Sequence, residues 1–201
     1  MTKPIIGILG GGQLGMMLCD AAKNIDVETH VFCPEYDCPS KGRSTYFSAG
    51  DYTDKKEIIK FSNNVDYITY EFENIPIETI DFISDQKKIR PGKKSLLLTQ
   101  DRLTEKKFLN ELKVPIAPYK DLRTIDDICS AQDEFINSII KTRTLGYDGK
   151  GQFSLKDSDD PNEVFSKILN NSIIEKRIPF EFEVSVIIAR DIRGNTSFFP
   201  I

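Results

Sequence analysis

Residues 4–9 are a run of branched apolar side chains that leads into Gly10-Gly11-Gly12-Gln13-Leu14-Gly15, and residues 16–23 then have helical character. A buried strand passed to a helix through a glycine turn leaves few architectures open. The strand belongs inside a sheet covered on both faces, and the helix packs back on it. The pattern recurs: residues 27–32 read as a strand closed by Cys33-Pro34, 55–62 as a helix, 65–72 as a strand, and 77–85 as a helix introduced by Pro76. Strands alternating with helices predict βαβ units and a parallel sheet over about residues 1–90.

Arg90-Pro91-Gly92 breaks that pattern. A single helix is predicted over 96–112, with Leu97, Leu103, Phe108 and Leu112 near one face and Asp101-Arg102 within it; Pro115 and Pro118 end it. On spacing alone Arg102 reads as part of a solvated helix face. Beyond it, 126–135 and 161–170 read as helices, and 137–141, 153–156, 172–176 and 181–190 as strands. The stretch 143–152 falls between two strands as a hairpin tip. Residues 195–201 read as a strand cut short, so the chain is expected to be the front part of a longer enzyme.

Composition excludes several classes. The chain has 39% hydrophobic and 29% charged residues, as an ordinary globular protein does. Its 27 basic residues are scattered and outweighed by 31 acidic ones, which leaves no electrostatic footprint for nucleic acid. The longest apolar run is broken by glycines and is too short for a membrane span. No charged, apolar and small-residue sequence of a signal peptide opens the chain, so a cytoplasmic location is expected. Cys19, Cys33, Cys38 and Cys129 show no C-x-x-C spacing and His30 is the single histidine, which argues against zinc and for reduced thiols.

The chemistry concentrates in Arg143-Thr144-Leu145-Gly146-Tyr147-Asp148-Gly149-Lys150-Gly151-Gln152. Three glycines alternate there with an aromatic, a carboxylate and a cation. Successive amides in such a loop form an anion-binding concavity, and the other side chains suit a flap that also touches a reacting substrate. Lys141, at a strand end five residues before Gly146, can neutralise phosphate oxygens. Gly10-x-Gly12-x-x-Gly15 has the context of a pyrophosphate loop at a helix N-terminus, but the expected acid after the second strand is displaced past Pro34 to Glu35. Dinucleotide binding, a purely structural turn and contact with another phosphorylated substrate all remain open for it. Glu71 and Glu73 share one face of the predicted strand, at the edge where open α/β sheets bind ligands, and a merely solvated strand end stays open for them as well. Glu175 and Glu183 are acids of apolar strands; taken alone each reads as a solvated strand edge, and beside a nucleotide each can accept hydrogen bonds from an adenine amino group or ribose hydroxyls.

In order, the glycine turn at 10–15, Tyr70-Glu71-Phe72-Glu73-Asn74-Ile75, Asp101-Arg102-Leu103-Thr104-Glu105-Lys106 and Gly146 to Gln152 resemble the N5-carboxyaminoimidazole ribonucleotide synthase family. The resemblance implies an α/β ATP-grasp chain: a Rossmann-like pre-ATP-grasp domain at 1–93, a connecting helix and linker at 94–118, a small α+β lid at 119–178, and the start of a C-terminal ATP-grasp subdomain at 179–201. It implies ATP- and bicarbonate-dependent carboxylation of aminoimidazole ribonucleotide through carboxyphosphate. By motif, Arg102, Lys141, Gly146, Tyr147, Asp148, Gly149, Lys150, Gly151, Gln152, Glu175 and Glu183 fall at nucleotide-contacting positions, and Lys176, Arg177 and Ile178 flank the adenine through their backbone. Gly12, Gln13, Leu14 and Glu73 fall near the imidazole ribonucleotide, with Tyr147, Asp148 and Lys150 as the catalytic group. Lys150 is often arginine in the family, and lysine keeps the charge while losing bidentate phosphate geometry. The resemblance also implies a homodimer, and magnesium whose ligands lie beyond residue 201. Another ATP-grasp carboxylate–amine ligase and a dinucleotide-binding oxidoreductase domain are the alternatives.

Overall fold

The computed structural model describes residues 2–201 except 84, 86, 87, 136, 147–149, 157, 169 and 170. The first half is a parallel sheet built from β1 (Ile5–Leu9), β2 (Glu28–Cys33), β3 (Tyr46–Ala49) and β4 (Tyr67–Tyr70), in the order β3-β2-β1-β4. The helices α1 (Gln13–Asn24), α2 (Lys55–Asn63) and α3 (Ile77–Phe82) connect or follow these strands. β1 pairs with β2 on one side and β4 on the other, so the chain changes direction across β1. Leu9, Phe32, Ile58, Phe61, Ile68, Ile75, Ile80 and Leu96 fill the main core of this half. Removing such side chains from water is what chiefly holds the layers together, at ~1.5–3 kcal/mol each.

The single helix expected over 96–112 is two. α4 (Lys93–Thr99) and α5 (Arg102–Glu111) are separated at Gln100 and Asp101. Asp101 stops propagation because it is in extended conformation and its Oδ1 accepts from the amide of Thr104, an N-cap that starts a new helix. The Gln100 side chain fixes the joint by donating to the carbonyls of Glu73 (2.8 Å) and Ile75 (2.6 Å).

A second, antiparallel sheet has the order β5-β8-β6-β7, from β5 (Tyr119–Leu122), β6 (Ser138–Thr142), β7 (Gln152–Leu155) and β8 (Ser172–Lys176). The helices α6 (Ile125–Glu134) and α7 (Pro161–Ile168) supply Ile128, Ala131, Val164 and Ile168 to a core shared with Leu122, Ile140, Leu155 and Ile174. A capping box between Thr124 and Asp127 starts α6.

Two strand expectations are corrected. The strand expected over 181–190 survives only as β9 (Ile188–Arg190), which forms a hairpin with β10 (Thr196–Phe198), while 181–187 is irregular and exposed. Its alternating pattern finds no ladder partner among the described residues. The strand expected over 65–72 ends at Tyr70, so Glu71 and Glu73 stand in the loop beyond it and do not share a strand face.

Candidate active site

The loops after β1, β2 and β4 enclose a cavity of about 820 Å³ at the C-terminal edge of the parallel sheet. Gly10, Gly12 and Leu14 come from the first, Glu35 and Cys38 from the second, and Glu71 and Glu73 from the third. This is the switch point of the sheet, where the connections from β1 and β4 diverge and open α/β sheets bind their ligands. Tyr52 closes part of the wall, its hydroxyl proton held more firmly than usual by burial and the neighbouring Cys33 and Glu35.

Glu71 shapes the floor. Its Oε1 accepts from the amide of Gly12 at 2.7 Å, at the first turn of α1. The α1 N-terminus has no side-chain cap of its own, and a carboxylate there is favoured by the helix dipole. The contact needs glycine at position 10: φ is +119°, and a Cβ would stand 2.7 Å from Glu71 Cγ. One donor that the sequence offered to a phosphate is therefore engaged by Glu71. Gln13 opens α1, exposed, and Leu14 lies at the cavity wall.

The second cluster lies where α5 meets the antiparallel sheet. Ile139 pairs with Glu175 across β6 and β8, so Lys141, two residues along, projects from the same face as Glu175. Lys141 Nζ donates to Glu175 Oε2 at 3.0 Å, and Lys106 Nζ of α5 lies 3.3 Å from Oε1. Glu105, next to it, has its carboxyl pushed up by burial, against the pull of Arg102 and Lys106.

The glycine loop connects β6 to β7, and Lys141 pairs with Gln152 next to its two ends. Its base is fastened to α5. The Arg102 side chain donates to the carbonyls of Thr142 (3.2 Å) and Gly146 (2.8 Å), and the Arg102 amide donates to the carbonyl of Arg143. Arg143 in turn donates through Nε and Nη2 to Asp101 Oδ2, at 3.0 and 2.7 Å. The solvated-face reading of Arg102 is thereby corrected: the break at Asp101 turns this side chain onto the loop. Gly151 closes the loop at φ +72°, and a Cβ there would meet Thr142 Oγ1 at 2.5 Å.

Of the residues expected in the site, Arg102, Lys141, Gly146, Gly151, Gln152 and Glu175 converge here, and Lys150 is exposed at the loop's turn. Tyr147, Asp148 and Gly149 lie outside the described residues. Lys176 ends β8, its amide bonded to the Pro118 carbonyl, and Arg177 and Ile178 follow it, exposed. Glu183 stands exposed on the irregular stretch and makes no ion pair with Lys106 or Lys141 among the described residues. Lys106 and Arg143 were missed as site residues. The signal for Lys106 was its position four residues after Arg102, on the same helical face. Among the described residues no group of three His, Cys, Asp or Glu side chains could hold a metal ion. No helix described is long and apolar enough to cross a membrane.

These two clusters, one under a parallel sheet edge and one beneath a glycine hairpin, define an ATP-grasp protein. Residues 1–100 match the ribonucleotide synthetase preATP-grasp domain, and residues 107–201 match the ATP-grasp domain. Within that class the relatives and solved structures that the chain resembles are N5-carboxyaminoimidazole ribonucleotide synthases. It is 38% identical, over 98% of its length, to the bifunctional purine synthesis protein purC/E of Dictyostelium discoideum, covering 20% of that protein. It is likewise 38% identical, over 98% of its length, to N5-carboxyaminoimidazole ribonucleotide synthase of Brucella melitensis, covering 55% of it. The structure of N5-carboxyaminoimidazole synthetase from Staphylococcus aureus complexed with ADP superposes with a TM-score of 0.91 at 34% identity, over 99% of this chain and 54% of that one. The chain thus spans about half the length of the relatives named as synthases.

Proposed function

We propose that this chain forms the substrate cavity and the nucleotide flap of an N5-carboxyaminoimidazole ribonucleotide synthase acting in purine biosynthesis. ATP and bicarbonate give carboxyphosphate and ADP. The 5-amino group of aminoimidazole ribonucleotide then attacks the carboxyl carbon, and inorganic phosphate leaves. The observation that carries the reading is the pairing of the switch-point cavity with the Lys141–Glu175 cluster under a glycine loop tied to α5.

In this reading the aminoimidazole ribonucleotide occupies the cavity, against Gly12, Gln13, Leu14 and Glu73. Lys141 and the loop amides neutralise the transferring phosphoryl group, since phosphoryl transfer asks for positioning and charge more than for covalent help. Glu175, Glu183 and the backbone of Lys176, Arg177 and Ile178 receive the adenosine. Tyr147, Asp148 and Lys150 come down with the flap onto the reacting amine, and closure excludes the water that would hydrolyse carboxyphosphate. Magnesium would help neutralise the nucleotide phosphates in this chemistry, but the described residues offer no cluster to hold it. A homodimer and a cytoplasmic location complete the proposal.

The test is calorimetric titration of the chain with aminoimidazole ribonucleotide, ADP and NADH. Saturable binding of the first two, with no NADH binding, is expected. NADH binding without aminoimidazole ribonucleotide binding overturns the reading in favour of a dinucleotide domain.

A further inference from the structure

Glu175 is approached by two lysines, although one cation suffices to neutralise a carboxylate. Only 11% of its side chain is exposed, and a carboxylate so buried is strongly destabilising once it loses every partner. The two lysines differ in their surroundings. Lys106 is 13% exposed, its ammonium 5.4 Å from the ring centre of Tyr119, and the Tyr119 hydroxyl accepts from Asn110 of the same helix. Lys141 is 25% exposed and stands at the foot of the glycine loop. Lys106 is the more buried of the two, packed against Tyr119, and Lys141 the more exposed.

We propose that Lys106 is a positioning residue: it holds the charge of Glu175 so that Lys141 can leave for the phosphate oxygens of a bound nucleotide. The inference rests on the nucleotide reading of this cluster. No covalent bond changes. One N–H···O bond of Lys141 moves from Glu175 Oε2 to a phosphate oxygen, while Oε1 keeps Lys106. Without Lys106, the same movement strips Glu175 of both cations, so phosphate binding weakens although Lys106 touches no nucleotide. Arg102, which also faces Glu105, cannot replace it, because its guanidinium is committed to the carbonyls of Thr142 and Gly146.

Two measurements test this. The first is urea unfolding of the wild type, Lys106→Met, Lys141→Met and the double variant. Each lysine covers for the other, so the double variant is expected to lose more midpoint than the two single losses together; additive losses overturn the proposal. The second is the affinity for ADP relative to adenosine. Lys106→Met is expected to lower ADP affinity by about 10-fold or more with adenosine unchanged, since one stranded buried charge is worth at least that factor. Adding Glu175→Gln should restore the ratio by releasing Lys141. Equal loss of ADP and adenosine, or no restoration, overturns the exchange. Failure of the wild-type chain to bind ADP overturns the nucleotide reading together with the exchange, whereas additive unfolding losses overturn the exchange alone.

Discussion

Asp101 uses its two carboxylate oxygens for separate tasks, which allows them to be measured apart. Oδ1 caps α5 through the Thr104 amide at 2.9 Å, and Oδ2 receives both hydrogen bonds of Arg143. Asp101→Ala removes both functions, while Asp101→Ser keeps a capping oxygen and removes the partner of Arg143. Loss of a cap costs ~1 kcal/mol. Hydrogen bonds to a charged group contribute ~1.5–3 kcal/mol. The lower end applies here, because the side chains are 24% and 21% exposed and Arg143 keeps Asp121 at 3.7 Å. Asp101→Ser is therefore expected to cost about 1.5 kcal/mol and Asp101→Ala about 2.5 kcal/mol in urea unfolding at neutral pH. The acid limb supplies a second check. Burial works to raise the Asp101 carboxyl, but the Arg143 hydrogen bond and the amides of Thr104 and Leu103 hold it below the usual carboxylate value. A depressed carboxyl contributes stability that is complete above its unfolded pKa and fades as pH falls through the folded one. The Asp101→Ser deficit must then shrink as pH is lowered below about 4. Equal costs for the two variants, or a deficit unchanged in acid, would refute the division of labour.

Gly151→Ala should destabilise the hairpin by ~1–3 kcal/mol through its strained backbone, whereas Gly42→Ala, whose new Cβ meets nothing within 4 Å, should be nearly neutral; equal unfolding midpoints for the two variants contradict this. Burial holds His30 below its ordinary 6.5, with its ring edge-on to Phe61 and Nε2 2.9 Å from Ser48 Oγ. Its neutral form is therefore favoured by folding, and this contribution is lost as pH drops from about 6.5 through the folded value; His30→Phe should flatten the stability profile between pH 7 and 5, and an unchanged slope argues against it. Cys33 and Cys38 stand with their sulfurs 3.3 Å apart, and burial pushes the Cys33 thiol up. Diamide, as the two-electron oxidant, should link them in a single 33–38 peptide seen by mass spectrometry, faster at alkaline pH. In Cys38→Ser, Cys33 should resist alkylation while exposed Cys129 reacts, and equal labelling would count against the prediction.

The parts of the fold legible in the sequence were those in which local pattern and tertiary role agree. The apolar run of β1, the glycine turn and α1 are continuous along the chain and need no distant partner to be recognised. β3 was not read, because Tyr-Phe-Ser-Ala is short and half-exposed, and its strand state comes from pairing with His30 to Cys33 sixteen residues earlier. The helix around Asp101 was misread for a related reason. Its periodicity is helical on both sides, and what interrupts it is a carboxylate serving Arg143, 42 residues away. In the site, Lys141 and Glu175 were legible as strand-end charges and the glycine loop as a motif. The partnership of Lys106 with Glu175 was not, since it depends on how α5 crosses β8. Glu71 was seen as a carboxylate at the sheet edge, but its grip on Gly12 required β4 to end at Tyr70, two residues before the expected end.

The side chain of Gln100 gives the protein a strut. One end is bonded to the carbonyls of Glu73, at the cavity, and of Ile75, in the core below it, and its backbone continues into Asp101 and Arg102, which grip the base of the glycine hairpin. Gln100, bonded beside the cavity, thus adjoins in sequence the two residues that hold the base of the hairpin. Gln100→Ala removes both bonds beside the cavity while leaving the Asp101 and Arg102 contacts to the hairpin in place.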